Sequence, residues 1–259
     1  MKRVSRVLAG GLAGAALLSL IAWGCNPQSA EHKPTLALFI GFDVSGSFRR
    51  SVYYDNAIAF AARYIYGHLH ERGGLARPRE LFVGEIGGSK PDEPKSFHPI
   101  HDFEGKDVAQ IEAELRSWFS PVDRITDFNA FFQEVARIAK ERNLVLSPIT
   151  VVMISDGVPD ILDQQAAAGS QALYQRIDLS ALEYLSRNLT VRLAYASPKV
   201  GQNWRRYVSH TRVRLWTVDA EVMKDWEQQI QPEVDLDHQD RLWKWVRDTV
   251  DYRVRSTFS

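Results

Sequence analysis

The stretch LFIGFDVSGS, from Leu38 to Ser47, runs from large apolar residues into one carboxylate and two hydroxyls. A short apolar run of this kind is typical of a strand that is buried on both faces of a sheet. Asp43, Ser45 and Ser47 follow that run within five residues of chain. The sequence therefore predicts a buried strand whose end presents three oxygen-bearing side chains.

Beyond this stretch, strand patterns alternate with helix patterns along the chain. The predicted strands cover Thr35–Phe42, Leu81–Gly87, a short extended piece within Ser96–Phe103, Ile149–Ser155, Leu189–Ala196 and Val213–Asp219. The predicted helices cover Ser51–His70, Asp107–Phe119, Phe128–Arg142, a stretch near Leu173–Arg187, a short piece around Trp204, and Asp237–Arg253. This alternation predicts a doubly wound, mainly parallel α/β sheet flanked by helices, in one domain.

The composition is that of a globular protein. The chain has 259 residues, of which 45% are hydrophobic and 25% charged, enough for one substantial core. Lys plus Arg and Asp plus Glu each total 32, so there is no basic excess. We therefore expect no nucleic-acid partner.

The N-terminus has the pattern of an export signal. Three basic residues precede an uncharged apolar run, which ends at Cys25, the only cysteine in the chain. This pattern resembles the signal of bacterial lipoproteins, in which the cysteine is lipidated; an ordinary secretory signal or an uncleaved anchor are the alternatives. We predict a signal peptide at 1–24, a tether at 25–34 and a domain at 35–259. We expect lipid anchoring in the cell envelope, and Asn26 after the cysteine favours the outer membrane.

Three polar segments follow strands or lie in loops at the expected functional edge of the sheet. They are DVSGS at 43–47, ITDF with Thr126, and SDGVPD with Asp156. They supply carboxylates and hydroxyls without Cys or His, a donor set that suits Mg²⁺ or Mn²⁺. Alternatively, Asp43 and Asp156 are helix caps or turn residues. We assign Asp127 to capping the helix that begins at Phe128.

These three segments, in this order, resemble the von Willebrand factor type A domain and its metal-ion-dependent adhesion site. The resemblance implies direct metal contacts from Ser45, Ser47 and Thr126, and contacts mostly through water from Asp43 and Asp156. It also implies a short antiparallel edge strand near residues 96–101. The partner that it implies is a protein that offers an Asp or Glu carboxylate to the metal.

Two details near these segments carry separate expectations. Ile125 precedes Thr126 where the family often has Gly, so we expect the loop to follow a different path. His98 and His101 lie beside Asp102, but an offset of three places them on opposite faces of an extended strand. We therefore predict a solvated loop there rather than a second metal site.

The alternative function is a metal-dependent hydrolase of the envelope, which needs a nucleophile or a general base. DVSGS is not the G-x-S-x-G pattern of a nucleophile elbow. An aspartyl nucleophile of the phosphatase type would need a second carboxylate at position 45, where Ser45 stands. The chain also has no H-E-x-x-H or paired-cysteine motif. We therefore predict a non-enzymatic, cation-dependent protein-binding domain.

Overall fold

The structure, a computed structural model, describes residues 35–88, 95–119, 125–159, 169–185 and 188–252. The predicted signal peptide, Cys25 and the tether lie outside these residues, so their assignments stay predictions. Within the described ranges, no helix combines the length and the apolar character that crossing a membrane requires.

Six strands in the described part of the chain form one sheet in the order β3-β2-β1-β4-β5-β6. The strands are β1 (Leu36–Asp43), β2 (Pro78–Ile86), β3 (Phe97–Pro99), β4 (Ile149–Ile154), β5 (Leu189–Ala196) and β6 (Arg214–Asp219). Only β3, at one edge, pairs antiparallel; the pairings among the other five strands are all parallel. Pro99 suits that edge, since it cannot donate to a further strand. The predicted fold class is confirmed.

Helices connect the strands. They are α1 (Gly46–Arg49), α2 (Tyr54–Leu69), α3 (Val108–Trp118), α4 (Phe128–Glu141), α5 (Gln171–Tyr174), α6 (Ser180–Glu183), α7 (Pro198–Tyr207), α8 (Ala220–Lys224) and α9 (Asp240–Trp245), which continues as one π-helical turn over Val246–Val250. The prediction of a single helix near Leu173–Arg187 is wrong, because two short helices, α5 and α6, lie in its described part. Asp178 lies between them. Its carboxylate accepts hydrogen bonds from the backbone N–H and the hydroxyl of Ser180, the first residue of α6, and forms a turn there.

The core lies on both faces of the sheet. Every residue of β1 is buried, and its side chains alternate between the two layers. Leu38, Ile40 and Phe42 pack in the layer that contains α2, α3 and the C-terminal helix. Ala37 and Phe39 pack in the layer that contains α4 and α7. Burial on both faces explains why this strand reads as a nearly continuous apolar run.

Gly41 allows α4 to approach β1 closely. A Cβ atom at Gly41 would lie 2.5 Å from Cζ of Phe131 in α4 and 2.6 Å from Cγ1 of Ile86 in β2. Contacts that short essentially never occur in real structures, so a side chain at this position would require Phe131 and Ile86 to shift.

Candidate metal centre

The strand order places the predicted site at a crevice. From β1 the chain continues to β2 on one side and later to β4 on the other, so the direction of winding reverses between β1 and β4. In open α/β sheets, ligands bind outside the carboxyl ends of the strands at such a point. Asp43 ends β1, and Ser155 and Asp156 follow β4. The first and third predicted segments therefore flank the crevice.

Asp43 is fully buried and both of its carboxylate oxygens accept hydrogen bonds. The backbone N–H of Ser45 donates to Oδ1 at 2.8 Å, and the hydroxyl of Ser155 donates to Oδ2 at 2.5 Å. The Ser155 oxygen in turn accepts from the N–H of Gly157 at 2.9 Å. A chain of hydrogen bonds thus joins the end of β1 to the loop after β4.

Burial is the main cause, and the negative charge of Asp156 the second, of a rise in the pKa of Asp43 from 3.8 to about 7. The hydrogen bonds from Ser155 and Ser45 oppose that shift without cancelling it. At the crevice, the negative charge of Asp156 therefore disfavours ionisation of Asp43. A divalent cation between them would remove that repulsion.

Ser45 and Ser47 place two hydroxyls side by side at the same edge. Their Oγ atoms are 3.2 Å apart; Ser45 is fully buried and Ser47 is exposed. Ser45 is also the N-cap of α1, where its Oγ accepts from the N–H of Phe48 at a long 3.5 Å. The pair therefore leads from the buried carboxylate of Asp43 to solvent.

Thr126 is buried beside the end of β2. Its neighbour Ile125 exchanges two backbone hydrogen bonds with Gly88, each with an N–O distance of 3.1 Å. Because β2 pairs with β1, this bridge brings the second predicted segment to the same edge as Asp43. Asp127 accepts from the N–H of Ala130 at 3.0 Å, which confirms its predicted role as the cap of α4.

The two carboxylates also take part in local turns, as the alternative assignment predicted. Asp43 accepts from the N–H two residues on, and Asp156 does the same with Val158 at 3.0 Å. In the described ranges, no three side chains of His, Cys, Asp or Glu are grouped so that they could hold a metal ion. The predicted set instead combines two carboxylates with hydroxyls. Such an all-oxygen set fits a hard cation that keeps several waters, and the metal assignment stays a prediction.

Ser155 is the site residue that sequence reasoning missed. Its position directly before Asp156, at the end of the most apolar strand, was the available signal. Its role depends on the neighbouring strand β1, because the hydroxyl of Ser155 donates to the carboxylate of Asp43, 112 residues away in the chain.

The two histidines near the edge strand differ from each other. His98 is half-buried and stacks on Trp118, with ring centroids 3.5 Å apart and planes 2° from parallel. His98 is therefore only partly solvated, because Trp118 covers one face of its ring. His101 is 68% exposed at its side chain, in agreement with the prediction.

No known protein-family model matches the chain, and no curated protein matches it either. Among solved structures it is similar to proximal thread matrix protein 1 from the mussel byssus, at 12% identity and a TM-score of 0.45, over 75% of this chain and 46% of that one. It is also similar to the VWA domain of SpRpn10, at 12% identity and a TM-score of 0.44, over 76% of this chain and 95% of that one.

A third similar structure is the pilus adhesin SpaC of Lactobacillus rhamnosus GG, at 10% identity and a TM-score of 0.46, over 85% of this chain and 31% of that one. The chain thus spans less than half the length of the mussel protein and of the adhesin. Likeness at this level is too weak to assign a function.

Proposed function

We propose that this domain binds a protein partner through a Mg²⁺ or Mn²⁺ ion at the edge formed by β2, β1 and β4. The residues that would hold the ion, directly or through water, are Asp43, Ser45, Ser47, Thr126 and Asp156. One observation carries the proposal: the charge of Asp156 acts on the buried carboxylate of Asp43 across the switch point of the sheet, beside the buried hydroxyl of Ser45 and the exposed hydroxyl of Ser47.

The donor set also favours an anionic ligand on the open side of the ion. Three of the five donors are neutral hydroxyls, so a bound divalent cation would keep much of its positive charge for a ligand. When bound, the ion supplies that charge to a partner's Asp or Glu carboxylate. Arg49 and Arg50, both exposed at the end of α1 just after Ser47, add positive charge at the rim.

The same geometry argues against a hydrolase. Ser155 donates to a carboxylate, as an activated nucleophile would, but it is fully buried and cannot reach a substrate. Ser47 is exposed, and the partner of its hydroxyl is the hydroxyl of Ser45, which is not a base. We therefore propose a binding domain, exported and anchored through lipid at Cys25 in the cell envelope.

The test is a calorimetric titration of Mn²⁺ into the wild type and Asp156→Ala, followed by capture of partners from envelope extract with Mg²⁺ or with EDTA. Asp178→Ala is the matched control, because Asp178 also holds a local turn, with the N–H of Ser180 at 2.8 Å, away from the site. We expect Asp156→Ala alone to lose the metal and the captured partner.

Two results would contradict the proposal. One is equal Mn²⁺ affinity in the wild type and Asp156→Ala. The other is metal-dependent turnover of phosphate or acyl esters that Asp156→Ala abolishes, which would favour the envelope hydrolase.

A further inference from the structure

Strand β5 carries a bulge at the level of the candidate metal centre. Ala194 pairs with Val218 of β6, whereas Ala196 pairs with the next residue, Asp219, so Tyr195 has no partner on β6. Tyr195 has a φ of +74°, a backbone conformation that bulky residues rarely adopt. Bulges of this kind commonly lie next to functional sites, where they redirect a side chain.

The bulge turns the ring of Tyr195 into the layer that supports α1. In a regular strand successive side chains point to opposite faces. In β5, by contrast, Ala194 and Tyr195 both face the layer of α2, while Leu193 and Ala196 face the other layer. Without the bulge, the ring would lie on the opposite face of the sheet from α1.

A partly buried hydrogen bond holds Tyr195 in this conformation. Its hydroxyl donates to Oδ1 of Asn56 in α2 at 2.7 Å, and the indole N–H of Trp226 donates to the same oxygen at 3.0 Å. The amide group of Asn56 donates to Glu227 at 2.8 Å, which orients the side chain. The strained backbone at Tyr195 is thus secured by contacts from two other parts of the chain.

The ring of Tyr195 contacts the helix that begins at the serine turn. It packs edge-on against Phe48 of α1, with centroids 6.1 Å apart and an angle of 67° between the planes. The N–H of Phe48 donates to the hydroxyl oxygen of Ser45. On the sheet side, the carbonyl of Ala194 accepts from the N–H of Ser155 at 3.1 Å. Tyr195 therefore packs against the helix that follows the serine turn, and the residue before it, Ala194, bonds to Ser155.

We propose that Tyr195 is a positioning residue for the turn that carries Ser45 and Ser47. The bulge and Asn56 hold its ring against Phe48, and Phe48 holds the first turn of α1 in place. That this turn binds a metal rests on the proposed function; that Tyr195 positions the turn rests on the contacts alone.

The test compares Tyr195→Phe with Tyr64→Phe in the full-length chain. Tyr64 is an equally buried tyrosine in the same layer, and its hydroxyl donates to Asp251 at 3.2 Å rather than to Asn56. Hydrogen–deuterium exchange with EDTA present reports on the turn itself. We expect Tyr195→Phe to lower protection of the amides at Phe48 and Arg49 about fivefold, the effect of losing one hydrogen bond within the protein.

A Mn²⁺ titration of the same variants is the second readout. Tyr195→Phe should weaken Mn²⁺ binding by a similar factor, and Tyr64→Phe should leave both readouts unchanged. Unchanged protection at Phe48 and Arg49 in Tyr195→Phe would overturn the inference, as would equal losses there in Tyr64→Phe. A wild type that binds no Mn²⁺ would contradict only the proposed function, because the exchange data still decide the role of Tyr195.

Discussion

Replacing Asp43 by Asn should change how the stability of the metal-free domain depends on pH. Asp43 is fully buried, and its pKa rises from 3.8 to about 7, first through burial and then through the charge of Asp156. The folded domain therefore binds this proton more tightly than the unfolded chain does. Stability from the protonated group is fully present below pH 3.8 and is lost as the pH rises through 7.

The expected magnitude follows from the size of the shift. A rise of about three pKa units corresponds to about 4 kcal/mol, at roughly 1.4 kcal/mol per unit. With EDTA, the free energy of unfolding of the wild type should fall by an amount of that order between pH 4 and pH 8, relative to Asp43→Asn. A divalent cation takes the place of the proton, so Mg²⁺ or Mn²⁺ should stabilise the wild type most above pH 7.

The assay is urea unfolding at several values between pH 4 and pH 8.5, with EDTA or with Mg²⁺. Subtracting the Asp43→Asn curve removes the titration of the histidines and of the other carboxylates. Asp107→Asn is the control: Asn keeps the helix cap at the start of α3, and its curve should follow the wild type. A wild type whose stability follows that of Asp43→Asn across the whole range would refute the reasoning, because Asp43 would then titrate as an ordinary carboxyl.

Three other substitutions test separate parts of the proposal. Gly41→Ala should lower the free energy of unfolding by about 1–3 kcal/mol in urea, because its Cβ would lie 2.5 Å from Phe131. Thr126→Ala should reduce capture of the partner more than it reduces calorimetric Mn²⁺ affinity, if Thr126 reaches the metal only in the bound state. Cys25→Ala should release the protein from membranes and end labelling by fatty-acid analogues; unchanged membrane association would contradict the lipid anchor.

The sequence predicts the strands well because their signal is local. Each long apolar run became a strand within three residues of its predicted bounds, and Asp127 marked the start of α4. The break between α5 and α6 was not predicted, since tertiary contacts contribute to it. The N–H of Asp178 donates to Asn129 of α4 at 2.8 Å, and its backbone forms a bridge with Ser209. A local pattern cannot show such contacts.

The neighbours of the site residues depend on strand order, which the local pattern does not contain. Asp43 could be recognised by its place at the end of an apolar run. The roles of Ser155 and Tyr195 exist only because β4 lies between β1 and β5. The bulge at Tyr195 has no signal in the sequence either, since LTVRLAYA resembles a regular buried strand.

The burial of Asp43 supports the proposal that it is a metal ligand and not only a turn residue. A carboxylate that serves only to hold a turn can do so at the surface, as Asp178 does in its exposed loop. Asp43 makes its turn bond to Ser45 while fully buried beside Asp156, where an ionised carboxylate is costly. A turn requires neither the burial nor the second carboxylate. A cation bound as proposed would account for both, because it would compensate the negative charge of the two carboxylates.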